Sequence, residues 1–171
     1  CFSAAQAGID FRTGESVRST RSIWHQSNIY SCVGVGIGDF KKDVLMDVYF
    51  AGNMVSNTLY LKKGSLKIKP ITETAGVGGG ERWCTMISMV DINSDGWPDI
   101  YVCASFRSDP RFRTNLLYIN QGWNKEGIPT FREPAADYGL ADEGFRPQPY
   151  FFDYDNDGNL DMYLVPTDIY D

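Results

Sequence analysis

The stretch Asp91-Ile92-Asn93-Ser94-Asp95-Gly96-Trp97-Pro98-Asp99 runs straight into Ile100-Tyr101-Val102, and both pieces recur without gaps elsewhere in the chain. Downstream, Asp153-Tyr154-Asp155-Asn156-Asp157-Gly158-Asn159-Leu160-Asp161 leads into Met162-Tyr163-Leu164. Upstream, Asp39-Phe40-Lys41-Lys42-Asp43-Val44-Leu45-Met46-Asp47 leads into Val48-Tyr49-Phe50. The copies begin 52 (91 − 39) and 62 (153 − 91) residues apart, a period that marks a repeat architecture. The triplet after each loop alternates as a strand does, with apolar residues on one face and a tyrosine on the other.

The register continues outward. Asn57-Thr58-Leu59-Tyr60-Leu61-Lys62-Lys63-Gly64 parallels Asn115-Leu116-Leu117-Tyr118-Ile119-Asn120-Gln121-Gly122. Ile71 to Val77 parallels Pro134 to Leu140, with a weaker echo at Ala5-Gln6-Ala7-Gly8-Ile9. Ahead of the first loop, Val33-Gly34-Val35-Gly36-Ile37-Gly38 carries glycine at every second position, which strips one face of a strand where backbones crowd. Four short strands per unit, with no segment that sustains a helical apolar stripe, predict an all-β fold of β-propeller blades, each with four antiparallel strands. The expected layout is an outer strand of a preceding blade at 2–9, an inserted loop at 10–31, blades at 32–77 and 84–140, and the first hairpin of a next blade at 146–171. Two blades and a hairpin cannot close a ring, so the expectation is a portion of a larger propeller, or edges covered by partners.

Composition narrows the function classes. The chain has 171 residues, 43% of them hydrophobic, with 16 Lys+Arg against 22 Asp+Glu and a net charge of −6. An acidic chain without clustered cations argues against nucleic acid as a partner. No apolar run reaches the roughly 18 residues that cross a bilayer. Cys1, Cys32, Cys84 and Cys103 lack C-x-x-C spacing, which points to buried thiols rather than zinc or a disulfide scaffold. Lipidation of Cys1 and a bridge between the repeat-equivalent Cys32 and Cys84 are the alternatives.

Carboxylates at positions 1, 3, 5 and 9 of a nine-residue loop repel one another unless a cation lies among them. Calcium takes six to eight oxygen ligands, and glycine at position 6 permits the sharp turn. The second loop offers Asp91, Asn93, Asp95, Asp99 and the Trp97 carbonyl. The third offers Asp153, Asp155, Asp157, Asp161 and the Asn159 carbonyl. Two calcium ions are therefore expected. An EF-hand shares the opening but needs Glu at the twelfth position, where Val102 and Leu164 stand. Magnesium fits less well, because it demands tight octahedral geometry. The first loop, with Asp39, Asp43 and Asp47, places Lys41 at the second ligand position and Val44 at the glycine position. It is expected to bind no calcium, to require positive φ of Val44, and either to set the Lys41 ammonium among its aspartates or to leave it in solvent.

These residues resemble the FG-GAP or VCBS repeat proteins, built like the integrin α-subunit propeller, and especially the branch carrying ASPIC/UnbV domains. Asp91 to Val102, Asn115 to Gly122, Pro134 to Leu140 and Asp153 to Leu164 carry the likeness, with a weaker copy from Ala5 to Gly64. The resemblance implies a mostly non-catalytic module of adhesion, recognition or assembly, secreted or displayed at a cell surface.

Two insertions are candidate partner contacts. An insertion of about 16 residues within Arg12 to Tyr30 carries Arg21, Trp24 and His25, and Ser105 to Thr114 carries Phe106, Arg107, Arg111 and Phe112. Arginine among aromatics is the composition of a protein or glycan contact. Catalysis finds no motif: there is one histidine, no G-x-S-x-G, and Gly76 to Gly80 lacks the Lys-Ser/Thr of a phosphate cradle and reads as a flexible connector. The function expected is a non-catalytic extracellular calcium-stabilised module that contacts protein or glycan, or self-assembles through strand edges. The alternative is an accessory propeller of a secreted enzyme, such as a polysaccharide-degrading one.

Overall fold

The computed structural model describes residues 4–13, 34–64, 67–107, 109–145 and 148–166. Its strands are β1 (Val35–Gly38), β2 (Asp47–Phe50), β3 (Thr58–Lys63), β4 (Lys67–Pro70), β5 (Cys84–Val90), β6 (Asp99–Ala104), β7 (Leu116–Trp123), β8 (Pro129–Arg132), β9 (Gln148–Phe152) and β10 (Asp161–Val165). They form two four-stranded sheets, β1-β2-β3-β4 and β5-β6-β7-β8, and the hairpin β9-β10. Each strand pairs antiparallel with its sequence neighbour, so the sheets are meanders. The fold is all-β, with propeller-type blades.

Register fixes where the aspartate loops sit. Gly38 pairs with Asp47, Val90 with Asp99, and Phe152 with Asp161. Every loop is therefore the first hairpin connection of its sheet, closed by its ninth residue.

The sheets stack through their first strands, β1 on β5 and β5 on β9. Glycine makes the first contact close: a Cβ on Gly36 would stand 1.9 Å from the Met89 side chain, and one on Gly34 would stand 2.6 Å from the Thr85 carbonyl oxygen. One core lies between the two sheets and includes Phe40, Tyr49, Leu59, Leu61, Ile100, Val102 and Tyr118. A second, with Tyr101, Cys103, Leu117 and Ile119, is covered by Phe151, Met162 and Leu164 of the hairpin. Covered on both sides, β6 is buried at all six residues, whereas β2 alternates buried and half-buried.

The repeat tyrosines lie inside these cores. Tyr49 and Tyr101 are wholly buried. Each hydroxyl donates to a carbonyl, Val77 O at 2.7 Å or Leu140 O at 2.9 Å, and accepts from an amide, Asn57 Nδ2 at 2.8 Å or Asn115 Nδ2 at 3.0 Å. A buried polar group must be satisfied, and here two repeat positions satisfy each other. The same asparagines accept from Gly52 N and Ala104 N, which ties the end of the second strand to the start of the third.

Of the segment 2–9 expected as an outer strand, the described residues 4–9 do not form one. Ala4–Ala7 form a helical turn, α1, and the equivalent Thr72–Ala75 form α2. Three turns share one closure: Ile9 N donates to Ala4 O (2.9 Å), Val77 N to Thr72 O (3.2 Å) and Leu140 N to Ala135 O (2.8 Å). Gly8, Gly76 and Gly139 stop them at φ of 83°, 76° and 69°. This is the glycine-capped helix end, and it overrides the apolar alternation that reads as a strand. The Gly76–Gly80 connector is also held rather than free, since Asn57 N donates to Gly78 O and the Arg82 guanidinium to Gly79 O. Cys84 and Cys103 are free, buried thiols, and burial pushes Cys84 up to about 12. Cys1 and Cys32 lie outside the described residues.

Gly34→Ala tests the close approach of the sheets. The added methyl meets backbone, which cannot swing aside, so we expect a loss of about 1–3 kcal/mol in urea unfolding. An unchanged midpoint would contradict this packing.

Candidate metal centres

Each loop is wound around its first aspartate. Asp39 Oδ2 accepts from Val44 N (2.7 Å) and Oδ1 from Asp43 N (3.1 Å). Asp91 accepts from Gly96 N (2.8 Å) and Asp95 N (3.0 Å), and Asp153 from Gly158 N (3.0 Å) and Asp157 N (3.1 Å). The fifth residue then turns the chain, as Asp43, Asp95 and Asp157 accept from Leu45 N, Trp97 N and Asn159 N. These are Asx turns, the short-range bonding for which aspartate is suited. Two residues per loop are left-handed: position 4 (Lys42, Ser94, Asn156 at φ 56°, 57° and 60°) and position 6 (Val44, Gly96, Gly158 at 68°, 81° and 87°). The signal for position 4 is weak, because only Asn156 is a residue type that favours this region.

The ninth aspartates anchor the loops to the sheets. Asp47 and Asp99 are fully buried, and each accepts from the loop (Phe40 N, Ile92 N) and from the third strand (Lys62 N, Asn120 N). Burial outweighs these bonds and pushes both carboxyls up to about 6. A cation beside them would offset that burial, as the Lys41 charge does in part at Asp47. Asp161 is exposed and accepts from Tyr154 N at 2.9 Å.

Among the described residues, one trio of carboxylates converges as metal ligands must: Asp153, Asp155 and Asp161 offer oxygens within 4.8 Å of one another. Asp157 is outside that trio and is turned to the Asn159 N–H, which holds its carboxyl below the usual range. In the second loop Asn93 bridges to Asp95, with Nδ2 donating to Oδ2 at 2.9 Å. All the donors are hard oxygens, the set that suits calcium or magnesium.

The first loop uses its own cation. Lys41 Nζ pairs with the Asp43 carboxylate, and the lysine side chain is only 16% exposed. The bond from Lys41 holds Asp43 below the usual carboxylate range. The ammonium is therefore not left in solvent, but among the described residues it makes an ion pair with Asp43 alone of the three aspartates. Val44 pays for its place with φ of 68° while its side chain is 86% exposed.

The arginine and aromatic candidates divide. Phe106 is buried edge-on against Trp83 with ring centroids 5.7 Å apart, so it is a packing residue and not a free contact. The Phe112 ring is approached by the guanidinium groups of Arg107 (5.1 Å) and Arg111 (5.9 Å), and Arg111 pairs with Asp109 at 2.7 Å. Arg21, Trp24 and His25 lie outside the described residues.

Val44→Gly removes the strained residue without exposing or burying apolar surface. The left-handed conformation costs a non-glycine residue about 1–2 kcal/mol, partly offset by the freedom glycine adds to the unfolded chain, so a net gain of about 0.5–1 kcal/mol is expected in thermal or urea unfolding. Destabilisation would contradict the assignment of strain.

No significant match to a curated protein was found. The family model described as FG-GAP-like repeat matches residues 19–102, which take in the first sheet, the first two aspartate loops and the start of β6. With its aspartate loops on the first hairpin of each antiparallel blade, the chain carries an FG-GAP-like repeat over residues 19–102.

Proposed function

We propose that the chain is a calcium-stabilised, non-catalytic binding module of the extracellular space. The observation that carries the metal reading is the convergence of Asp153, Asp155 and Asp161 in a loop whose backbone bonding recurs in the second copy. FG-GAP repeats often bind calcium, are generally non-catalytic, and are typical of extracellular proteins. Among the described residues no helix is long and apolar enough to cross a membrane. Calcium in this reading is structural: it is held by the second and third loops, and the Lys41 ammonium serves the first.

The contact surface for a protein or glycan is proposed on the loops and on the outer face of β9-β10. That face exposes Tyr150 (48%), Phe152 (45%) and Tyr163 (56%), more apolar surface than one hairpin normally leaves in water. Among the described residues β10 pairs only with β9, which leaves a strand edge for β-augmentation.

Thermal unfolding with calcium and with chelator tests the metal reading. With free ion about a hundredfold above the dissociation constant, each occupied site adds about 2.7 kcal/mol, so the melting temperature should rise by several degrees. Asp155→Ala should remove part of that rise, measured as the difference between its own curves with calcium and with chelator. Identical curves with and without calcium would refute the proposal.

A further inference from the structure

Lys41 and Lys42 are adjacent, yet they serve different loops. Lys41 turns inward to Asp43, while Lys42, aimed by its left-handed backbone, reaches the neighbouring blade. There its ammonium lies 4.2 Å from the centroid of the Trp97 indole, in the second aspartate loop. It is also close to the loop backbone, 3.1 Å from where a Cβ on Gly96 would stand. Gly96 N–H is bonded to the Asp91 carboxylate at 2.8 Å, so ammonium, glycine turn and first acidic residue are successive neighbours. Trp97 is also braced by Trp123, whose ring stands edge-on with centroids 5.2 Å apart. Loop one is further fixed to blade two by Asn120 Nδ2 donating to Phe40 O and by the Phe40–Phe131 ring contact. Among the described residues no carboxylate lies within 4.0 Å of Lys42. The indole face, not an ion pair, sets where this charge sits.

The third loop is the internal comparison. The residue one repeat after Lys42 is the uncharged Ser94, the residue one repeat after Trp97 is Asn159, and a Cβ on Gly158 would meet nothing within 4 Å. Among the described residues, a positive charge is held against the glycine turn of the second loop and none against that of the third.

We infer that Lys42 is a built-in electrostatic competitor that lowers the affinity of the second loop for divalent cations, so that the degenerate first loop tunes its neighbour. The inference rests on the calcium reading of the second loop. Repulsion between an ammonium and a dication several ångströms apart, partly screened by salt, corresponds to about a threefold to tenfold change in affinity.

Calorimetric calcium titration of the full chain tests it, with Asp155→Ala in the background to silence the third loop. Lys42→Met keeps the apolar stem on Trp97 and removes the charge; Lys42→Arg keeps the charge. At about 0.1 M salt, Lys42→Met should bind calcium about threefold to tenfold more tightly than its parent, and the two should converge at about 1 M salt, where screening is short-ranged. Lys42→Arg should match the parent at both. Unchanged or weaker binding by Lys42→Met, or a gain that persists at high salt, would overturn the inference while leaving the calcium reading intact. Absence of binding in all three proteins would overturn both.

Discussion

Two buried carboxylates, Asp47 and Asp99, hold the loops and sheets in one geometry. Each receives one backbone N–H from the beginning of its own loop and one from the third strand of its sheet. A single side chain therefore closes the hairpin and ties the loop to the third strand of its sheet. Their burial raises both pKa values to about 6, so this tie is made with groups that resist being charged where they stand. A cation in the loop would relieve that conflict, which is the physical ground for proposing a metal site at a blade hairpin. In the first blade a cation from within the chain, Lys41, pairs with Asp43 and acts on Asp47 only as a nearby charge that leaves burial dominant.

The second tie is the tyrosine–asparagine pair, which links the loop end of the blade to its far end. The Tyr49 and Tyr101 hydroxyls each reach a carbonyl beyond the glycine-capped turn, while Asn57 and Asn115 return the bond to the third strand. Buried hydrogen bonds of this kind add little net stability but penalise any arrangement that leaves a partner unmet. They select one register among the several that alternating apolar strands would accept.

Much of this was legible in the sequence, because a repeat exposes its constraints by keeping them. The loop positions, the hairpin they close and the strain at Val44 follow from comparing three copies, and the same comparison singles out Lys41 while leaving its placement open. What could not be read is tertiary. Tyr49 and Asn57 recur separately, and nothing in their spacing says that they meet. Ala4–Ala7 alternate like a strand end, and only the hydrogen bond from Ile9 to Ala4 reveals the turn. Phe106 has the composition of a surface contact but is drawn beneath Trp83. The reach of Lys42 to Trp97 depends on how two blades pack, a distance no local pattern encodes.

The central claim is that two loops hold a metal ion and that the first is served by lysine instead. Native mass spectrometry of the full chain in millimolar calcium measures this directly, because bound ions add mass in whole numbers. The account predicts two calcium ions per chain, and three when Lys41→Asn and Val44→Gly are combined. Three ions on the unaltered chain would contradict the role given to Lys41, and none would contradict the metal centres themselves.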